Sequence, residues 1–319
     1  MTKKKYNVLI IGAGNIGSFF DTPSSSNVLS HAHAFSTHSG FSLVGFVDKD
    51  LNKAKRAATL WGGDAFADVS SAFRKIDRID VVCNATPDEM HYKILKEVLH
   101  YPVKLIFTEK PITKTLSEAR DIQKLMYRKK ADVAVDYTRR FVPEFIKLSQ
   151  EIRNGLYGDY VAGSGYYGKG IIHNGSHMID LLQNFFGSVG KFVAIKKEYD
   201  FSPQDPSVTG ILDIGKKKFF LQHINKELFT IFDIDLIFTK AHIRIANSGF
   251  LIEIRKVEKS KTFRGYKSLG NTVSIKTSLS YALSFAVDNI YRHLQYGDDL
   301  KCSLREGYNI LRTVSNIME

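Results

Sequence analysis

Short apolar runs, each closed by a glycine, a carboxylate or a Thr-Pro turn, recur through the first part of the chain. Val8-Leu9-Ile10-Ile11 leads into Gly12-Ala13-Gly14-Asn15-Ile16-Gly17. Phe41 to Val47 ends at Asp48, Asp80 to Ala85 ends at Thr86-Pro87, and Val103 to Phe107 ends at Thr108-Glu109-Lys110-Pro111. Ala131 to Val135 is one more such run. Runs this short and this continuous predict strands buried on both faces. Helical patterns lie between them: one resumes near His31-Ala32-His33-Ala34-Phe35, one follows Pro87 with His91 in its first turns, and Ser117 to Lys130 is amphipathic. Strand and helix in alternation predict a doubly wound parallel sheet of the Rossmann type over residues 1–138.

From Asp159 the texture changes. Tyr160 to Tyr167, Lys191 to Glu198, Val208 to Ile214, Lys218 to Ile224, Phe229 to Phe238, His242 to Ala246 and Phe250 to Val257 read as strands joined by short turns. Strands in succession without intervening helices predict an open, mostly antiparallel sheet. Ser278 to Tyr296 and Leu304 to Met318 are helical patterns expected to pack back on the body. The predicted class is therefore α/β plus α+β, with a second domain over residues 139–319.

Composition adds limits. A chain of 319 residues with 44% hydrophobic and 24% charged residues is expected to fold as two globular domains. No apolar run approaches the length of a membrane span. Met1-Thr2-Lys3-Lys4-Lys5 before Val8 superficially resembles a secretory signal, but the apolar segment is too short and ends in a glycine turn. Cys83 and Cys302 cannot make a disulfide framework, and Cys83, inside a strand-like run, reads as a buried thiol. A cytoplasmic location is the expectation. The net charge of +12 raises nucleic acid as a partner. The basic residues are spread along the chain without a nucleic-acid motif, so a solvated basic surface is expected. Such a field would at most attract an anionic small molecule, phosphorylated or nucleotide-linked.

The glycine turn carries the first candidate chemistry. Gly12 suits a tight turn, Gly14 a close backbone approach to a pyrophosphate, and Gly17 close packing of helix on strand. The pyrophosphate would meet N–H groups at the helix start. Asp21-Thr22-Pro23-Ser24-Ser25-Ser26-Asn27 interrupts that helix with a polar insertion of about ten residues. Asp48 would accept hydrogen bonds from ribose hydroxyls and repel a 2′-phosphate, which favours NAD over NADP. Lys49 and Lys53 weaken that preference. His31, His33 and His38 are read as surface or loop histidines, since no Cys or carboxylate stands at a ligand spacing with them, and no metal is expected. Gly12, Asp48, Thr86 and Lys110 all fall at carboxyl ends of predicted strands, where ligands bind in such sheets.

These residues resemble a family. The glycine turn, the strand ending Ala85-Thr86-Pro87 with His91 beyond, and Glu109-Lys110-Pro111 resemble the glucose–fructose oxidoreductase, inositol dehydrogenase and MocA (Gfo/Idh/MocA) family. Tyr137-Thr138-Arg139-Arg140-Phe141-Val142-Pro143 is similar to the family's crossing into its second domain, and Gly175-Ser176-His177-Met178-Ile179-Asp180-Leu181-Leu182 to its substrate-side helix. The matches keep the family's order over residues 6–187. The resemblance implies an NAD-dependent dehydrogenase or reductase acting on a sugar-like alcohol or ketone, and a homo-oligomer, dimer or tetramer, that uses the open sheet. It implies a cofactor set of Gly12, Gly14, Asn15, Ile16, Gly17 and Asp48, continued by Thr86, Pro87, His91, Glu109 and Lys110. Lys110 and His177 are then the catalytic pair, with Arg140, Tyr166 and Asn174 as substrate contacts.

One position departs from the family pattern. Four residues before His177 the family usually carries Asp, and this chain has His173. An aspartate would orient the imidazole and stabilise its cationic form. A histidine supplies no anion at neutral pH, and would relay a proton, bond a substrate hydroxyl or relax the mechanism. On spacing alone, a capped helix start with Asn174 or Ser176 as cap and His177 half-buried stands beside the catalytic reading. A zinc reading fails, because His173 and His177 lack both the His-Glu-x-x-His pattern and a third ligand. The positive nicotinamide and the two histidines would lower the Lys110 pKa enough for it to share the proton. The alternative class is a nucleotide- or sugar-binding sensor or complex subunit without turnover, and a weaker third is an imine or enone reductase.

Overall fold

The computed structural model describes residues 5–319; Met1 to Lys4, with two of the lysines noted above, lie outside them. The chain divides into two compact units, one running to Phe141 and resuming over Ser280–Leu311, the other comprising Val142–Leu279 and Arg312–Glu319.

The first unit is built on six parallel strands: β1 (Tyr6–Ile11), β2 (Phe41–Val47), β3 (Asp64–Phe66), β4 (Val81–Asn84), β5 (Leu105–Thr108) and β6 (Asp132–Val135), in the order β3-β2-β1-β4-β5-β6. The strand order reverses beside β1, and the crevice between the ends of β1 and β4 is the place where such sheets take ligands. β4 and β5 are buried at every position, as strands covered on both faces must be. Helices α1 (His31–Thr37), α2 (Leu51–Trp61), α3 (Val69–Lys75), α4 (His91–Val98) and α5 (Leu116–Lys129) make the crossovers. α5 starts where Thr115 and Glu118 form a reciprocal capping box. The three-residue β3 is too short to leave a periodic signal, and it was not predicted. α8 (Ala282–Tyr296) also belongs to this unit: the Tyr6 hydroxyl donates to the Leu294 carbonyl at 2.9 Å, and the Tyr291 ring meets Phe41 edge-on.

The second unit is an eight-stranded sheet in the order β14-β13-β12-β11-β7-β10-β9-β8. Its strands are β7 (Tyr160–Tyr167), β8 (Phe192–Ser202), β9 (Asp205–Ile214), β10 (Lys217–His223), β11 (Phe232–Phe238), β12 (Ala241–Ala246), β13 (Leu251–Lys259) and β14 (Lys267–Lys276). Only β7 and β10 pair in parallel; every other neighbour is antiparallel. Helices α6 (Pro143–Arg153) and α7 (Ser176–Phe186) belong here, tied by the Ser149 hydroxyl to the Asn184 carbonyl at 2.9 Å. Met178 of α7 sits over Gly165 of β7 so closely that a Cβ there would lie 2.3 Å from the sulfur. Val193, Ile195, Ile237 and Val273 stay exposed. β14 is exposed or half-exposed throughout; Gly270 and Asn271 break the alternation of Leu269, Val273 and Ile275, and it too went unpredicted. The last helix, α9 (Leu304–Met318), contributes to both units.

The insertion after Gly17 is where structure and expectation part most. Instead of an α-helix, the glycine turn feeds a single π-helical turn, Asn15–Phe19. Asp21 then organises the loop back to α1. Its carboxylate accepts hydrogen bonds from the Leu29 N–H at 2.6 Å, from the Ser30 N–H at 3.2 Å and from the Ser30 hydroxyl. His33 Nδ1 lies 2.8 Å from the same carboxylate, and the His33 ring packs on Trp61, whose indole N–H donates to the Ser18 carbonyl. His31 and His33 are therefore buried, correcting the reading of both as surface or loop residues; only His38 remains partly exposed, 3.5 Å from Asp288. Burial pushes the Asp21 carboxyl up, but Ser30, the Leu29 N–H and His33 outweigh it and leave the group below the ordinary carboxylate range.

Asp21→Ala strands these donors and is expected to cost about 1–3 kcal/mol in urea unfolding at neutral pH. A folded-state pKa below the unfolded one contributes stability above the unfolded pKa, lost as the pH falls through the folded value. Wild type and variant should therefore converge in stability as the pH drops below about 4. Parallel curves down to strongly acid pH would remove the carboxylate from this account.

Candidate active site

In the first unit the candidate residues stand in a row at the carboxyl ends of the strands. Gly12 follows β1 with φ +97°, and its N–H donates to the Val47 carbonyl at 2.8 Å. A Cβ at Gly12 would lie 2.5 Å from the Ala85 carbonyl oxygen, and one at Gly17 would lie 2.0 Å from the Gly12 carbonyl oxygen. A Cβ at Gly14, by contrast, would meet nothing within 4 Å. The outer two glycines close the turn against the sheet, and the middle one leaves open space above the backbone. Asp48 follows β2; its Oδ2 accepts from the Ala13 N–H and its Oδ1 from the Asp50 N–H, both at 2.9 Å. A carboxylate oxygen has more than one lone pair, so both retain accepting capacity toward a diol. The open cradle at Gly14 and the acceptor at Asp48, on neighbouring strands at the switch point, fit a dinucleotide.

The ends of β4 and β5 are cross-linked by side chains. The Thr86 hydroxyl donates to Asn84 Oδ1 at 2.7 Å, and Asn84 Nδ2 donates to the Thr108 hydroxyl at 3.1 Å. His91 is fully buried, with Nδ1 2.6 Å from the Pro111 carbonyl oxygen and Nε2 2.9 Å from that of Thr86. The ring lies between the carbonyls of the Thr86-Pro87 and Glu109-Lys110-Pro111 turns, and each N–H that it carries donates to one of them. His91 thus holds the shape of the cofactor-side turns. Lys110 is half-exposed and Glu109 is anchored by its N–H to the Asn84 carbonyl at 2.9 Å. The positive charge of Lys110 acts on Glu109, Asp88 and Asp136. Reading the sequence supplied only positive neighbours for this lysine; the fold surrounds it with carboxyl groups as well. Arg140 ends a single 3-10 turn, Thr138–Arg140, after β6.

In the second unit His173 and His177 do not share one helix. His173 lies in a π-helical turn, Gly170–Gly175, and α7 begins at Ser176 with Gly175 as its N-cap. Neither Asn174 nor Ser176 caps the helix: Asn174 Nδ2 donates to the Gly168 carbonyl at 3.0 Å. The His173 turn hangs instead on the start of β9. Asp205 accepts from the Ile172 N–H at 2.7 Å and the His173 N–H at 2.9 Å, and Ser207 accepts from the Gly170 N–H at 3.0 Å. The His173 ring stacks on Phe201 at 5.0 Å. His177 is half-buried in the first turn of α7, and Tyr166 is half-buried on β7 opposite Asp233.

Sequence reasoning missed Asn84, Thr108, Asp205, His31 and Asp136. Four of them leave a signal: Asn84 and Thr108 are the last residues of parallel strands, Asp136 the first beyond one, and Asp205 opens a strand after a turn.

Residues 6–137 match the family described as "Oxidoreductase family, NAD-binding Rossmann fold" (GFO_IDH_MocA). The chain is 24% identical over 193 residues to D-glucoside 3-dehydrogenase of Escherichia coli K12, covering 57% of this chain and 52% of that protein. It is 29% identical over 163 residues to inositol 2-dehydrogenase 4 of Saccharopolyspora erythraea, covering 50% and 44%. The match thus spans about half the length of these curated relatives. Among solved structures, an oxidoreductase from Agrobacterium radiobacter in complex with NAD+, L-tartaric acid and magnesium shares the fold with a TM-score of 0.73 at 16% identity, over 98% of this chain and 95% of that one. No helix among the described residues is long and apolar enough to cross a membrane. The glycine turn and the Glu-Lys-Pro turn occupy one edge of one sheet, and both lie within residues 6–137, the part of the chain that matches the Gfo/Idh/MocA oxidoreductase family.

Proposed function

We propose that the chain is an NAD-dependent oxidoreductase that moves a hydride between the nicotinamide and a secondary alcohol or ketone of a sugar or sugar derivative. The observation that carries this reading is the alignment of the open Gly14 turn, Asp48 and Lys110 along the carboxyl edge of one parallel sheet. The N–H groups of Gly14, Asn15 and Ile16 would receive the pyrophosphate, and Asp48 the ribose diol, which favours NAD over NADP. Thr86 and Pro87 would line the nicotinamide side. The cofactor, when bound, supplies the hydride acceptor or donor. Lys110 holds the substrate oxygen and stabilises negative charge developing on it. A ring nitrogen of His177 accepts the hydroxyl proton in oxidation and returns it in reduction. Arg140, Tyr166 and Asn174 orient the remaining hydroxyls. With His at position 173, the turn before His177 is held by Asp205, which accepts from the His173 N–H. That departure favours a second reading, a protein that binds the same ligands without turnover.

Gly14→Val separates binding from folding, because a Cβ there meets nothing within 4 Å and the backbone is extended, at φ −85° and ψ −166°. Its thermal midpoint should match wild type while its Kd for NADH, followed by fluorescence, rises at least about tenfold. Equal NADH affinity in the two proteins would place the dinucleotide elsewhere.

Lys110→Ala should lower kcat on sugar alcohols by roughly 10²–10³-fold with a much smaller change in NADH affinity. Wild-type turnover in this variant would sink the assigned role. Tight NADH binding by the wild-type protein, with no absorbance change across sugars, inositols and nucleotide sugars, would favour the non-catalytic reading.

A further inference from the structure

Below the Glu109-Lys110 turn lies a cluster that the proposed chemistry does not use. His31 Nε2 is 2.8 Å from Glu109 Oε1 and 4.0 Å from Asp136 Oδ2. His31 and Asp136 are buried, at 0% and 2% exposure. The three come from separate elements and are placed by backbone: His31 opens α1, Glu109 follows β5, and Asp136 follows β6 with its N–H on the Thr108 carbonyl at 2.9 Å. The Phe107 ring closes the His31 side edge-on at 5.1 Å.

The protons can be assigned from chemistry. A carboxylate only accepts, so His31 Nε2 carries the hydrogen that it shares with Glu109. His31, Glu109 and Asp136 each place a polar atom within 4.8 Å of the others, and at that separation a charge on one carboxyl group disfavours a charge on the second. Burial pushes Asp136 well above the ordinary carboxylate range, and the charge of Glu109 and a hydrogen bond to it push the same way. Asp136 Oδ1 accepts no hydrogen bond, which suits an acid that donates rather than an anion that must be solvated. Burial also pushes Glu109 up, but the His31 hydrogen bond and the charges of His31, Lys110 and His91 outweigh it and leave Glu109 below the ordinary range. Glu109 is therefore the ionised member, held by a donor on either side.

We propose that His31 and Asp136 are positioning residues that clamp an ionised Glu109 between two donated hydrogen bonds, fixing one negative charge beside Lys110. This rests on the reading of Lys110 as the group that holds the substrate oxygen. The same His, Glu and Asp have the composition of a divalent-cation site. The 2.8 Å separation of His31 Nε2 and Glu109 Oε1 is a hydrogen-bond length. Ligands of a tetrahedral ion with bonds of about 2.0–2.1 Å stand about 3.3 Å apart, and a cation would also require Asp136 to ionise. Other titratable groups facing the cluster are Cys83 on β4, His91 on α4, and Asp88 and Lys110 on the flanking turns.

The test starts with the ligand-free protein. Isotope-edited infrared spectroscopy with labelled aspartate should show a protonated carboxylic acid at neutral pH that disappears in Asp136→Asn. Absence of that band, or its survival in Asp136→Asn, overturns the proposal. So does stoichiometric metal in the purified protein whose removal by chelator restores or creates the band.

The second measurement is kinetic. His31→Leu removes one donor from a carboxylate that stays buried, so Glu109 needs a higher pH to ionise, and the acid limb of kcat should move up by about one pH unit or more. His31→Gln restores an N–H donor and should bring the limb back. An unmoved limb in His31→Leu, or no rescue by His31→Gln, leaves only a structural role and overturns the positioning claim. Full turnover in Lys110→Ala with the Asp136 band intact marks the different failure, in which the clamp stands and its catalytic purpose falls.

Discussion

A side chain on Gly17 would place its Cβ 2.0 Å from the Gly12 carbonyl oxygen, and one on Gly12 would come within 2.5 Å of the Ala85 carbonyl oxygen. Both obstacles are backbone, which cannot rotate aside as a side-chain end can. β1, the turn behind it and the end of β4 are therefore one closely packed piece, and everything at the sheet's carboxyl edge takes its position from it. The Ala85 N–H donates to the Ile11 carbonyl and the Asp136 N–H to the Thr108 carbonyl, so register passes from strand to strand without help from side chains. Asp48, Thr86, Glu109 and Lys110 stand in one row because the strands end level, with Val47 and Asn84 both opposite Ile11 and Thr108 opposite Asn84.

That regularity explains what the sequence made legible. Continuous apolar runs can only be strands covered on both faces, and the residue after each run must lie at the ligand edge. Gly12, Asp48, Thr86 and Lys110 all fall there, in agreement with the glycine motif and the Glu-Lys-Pro turn. Elements without an apolar signature were lost. β3 has three residues, and in β14 Gly270 and Asn271 interrupt the alternation of Leu269, Val273 and Ile275, so neither offers a sustained period. The π-helical turns at Asn15–Phe19 and Gly170–Gly175 were illegible for another reason. Their geometry is imposed by partners distant in sequence, Trp61 and Asp205, which no local window contains.

The histidines make the same point from the opposite direction. His31 and His33 lacked a carboxylate at ligand spacing and were assigned to the surface. Spacing along the chain is the wrong measure in a doubly wound sheet. Glu109 is 78 residues from His31, and the two are joined because α1 starts beside the ends of β5 and β6. The rule that places Lys110 at the ligand edge applies equally to the residue just beyond β6, Asp136. Polar residues at that edge, paired with polar residues at the start of a crossover helix, form the better search pattern. Applied here it selects Glu109 and Asp136 against His31.

Net charge misleads in a related way. The chain carries +12, yet Lys110 stands among Glu109, Asp136 and Asp88. Much of the positive excess sits on exposed stretches such as Lys216 to Lys218, where salt screens it beyond about 10 Å. Buried groups are screened far less, so a single carboxylate beside a reacting oxygen outweighs many surface lysines. The global field governs how the protein meets ions in solution. The charge that a substrate oxygen would meet is set locally, by how many of the clustered carboxyl groups are ionised. In this fold two of them compete for one proton, and burial decides the contest: the deeper Asp136 keeps it, and Glu109, supported by His31, gives it up.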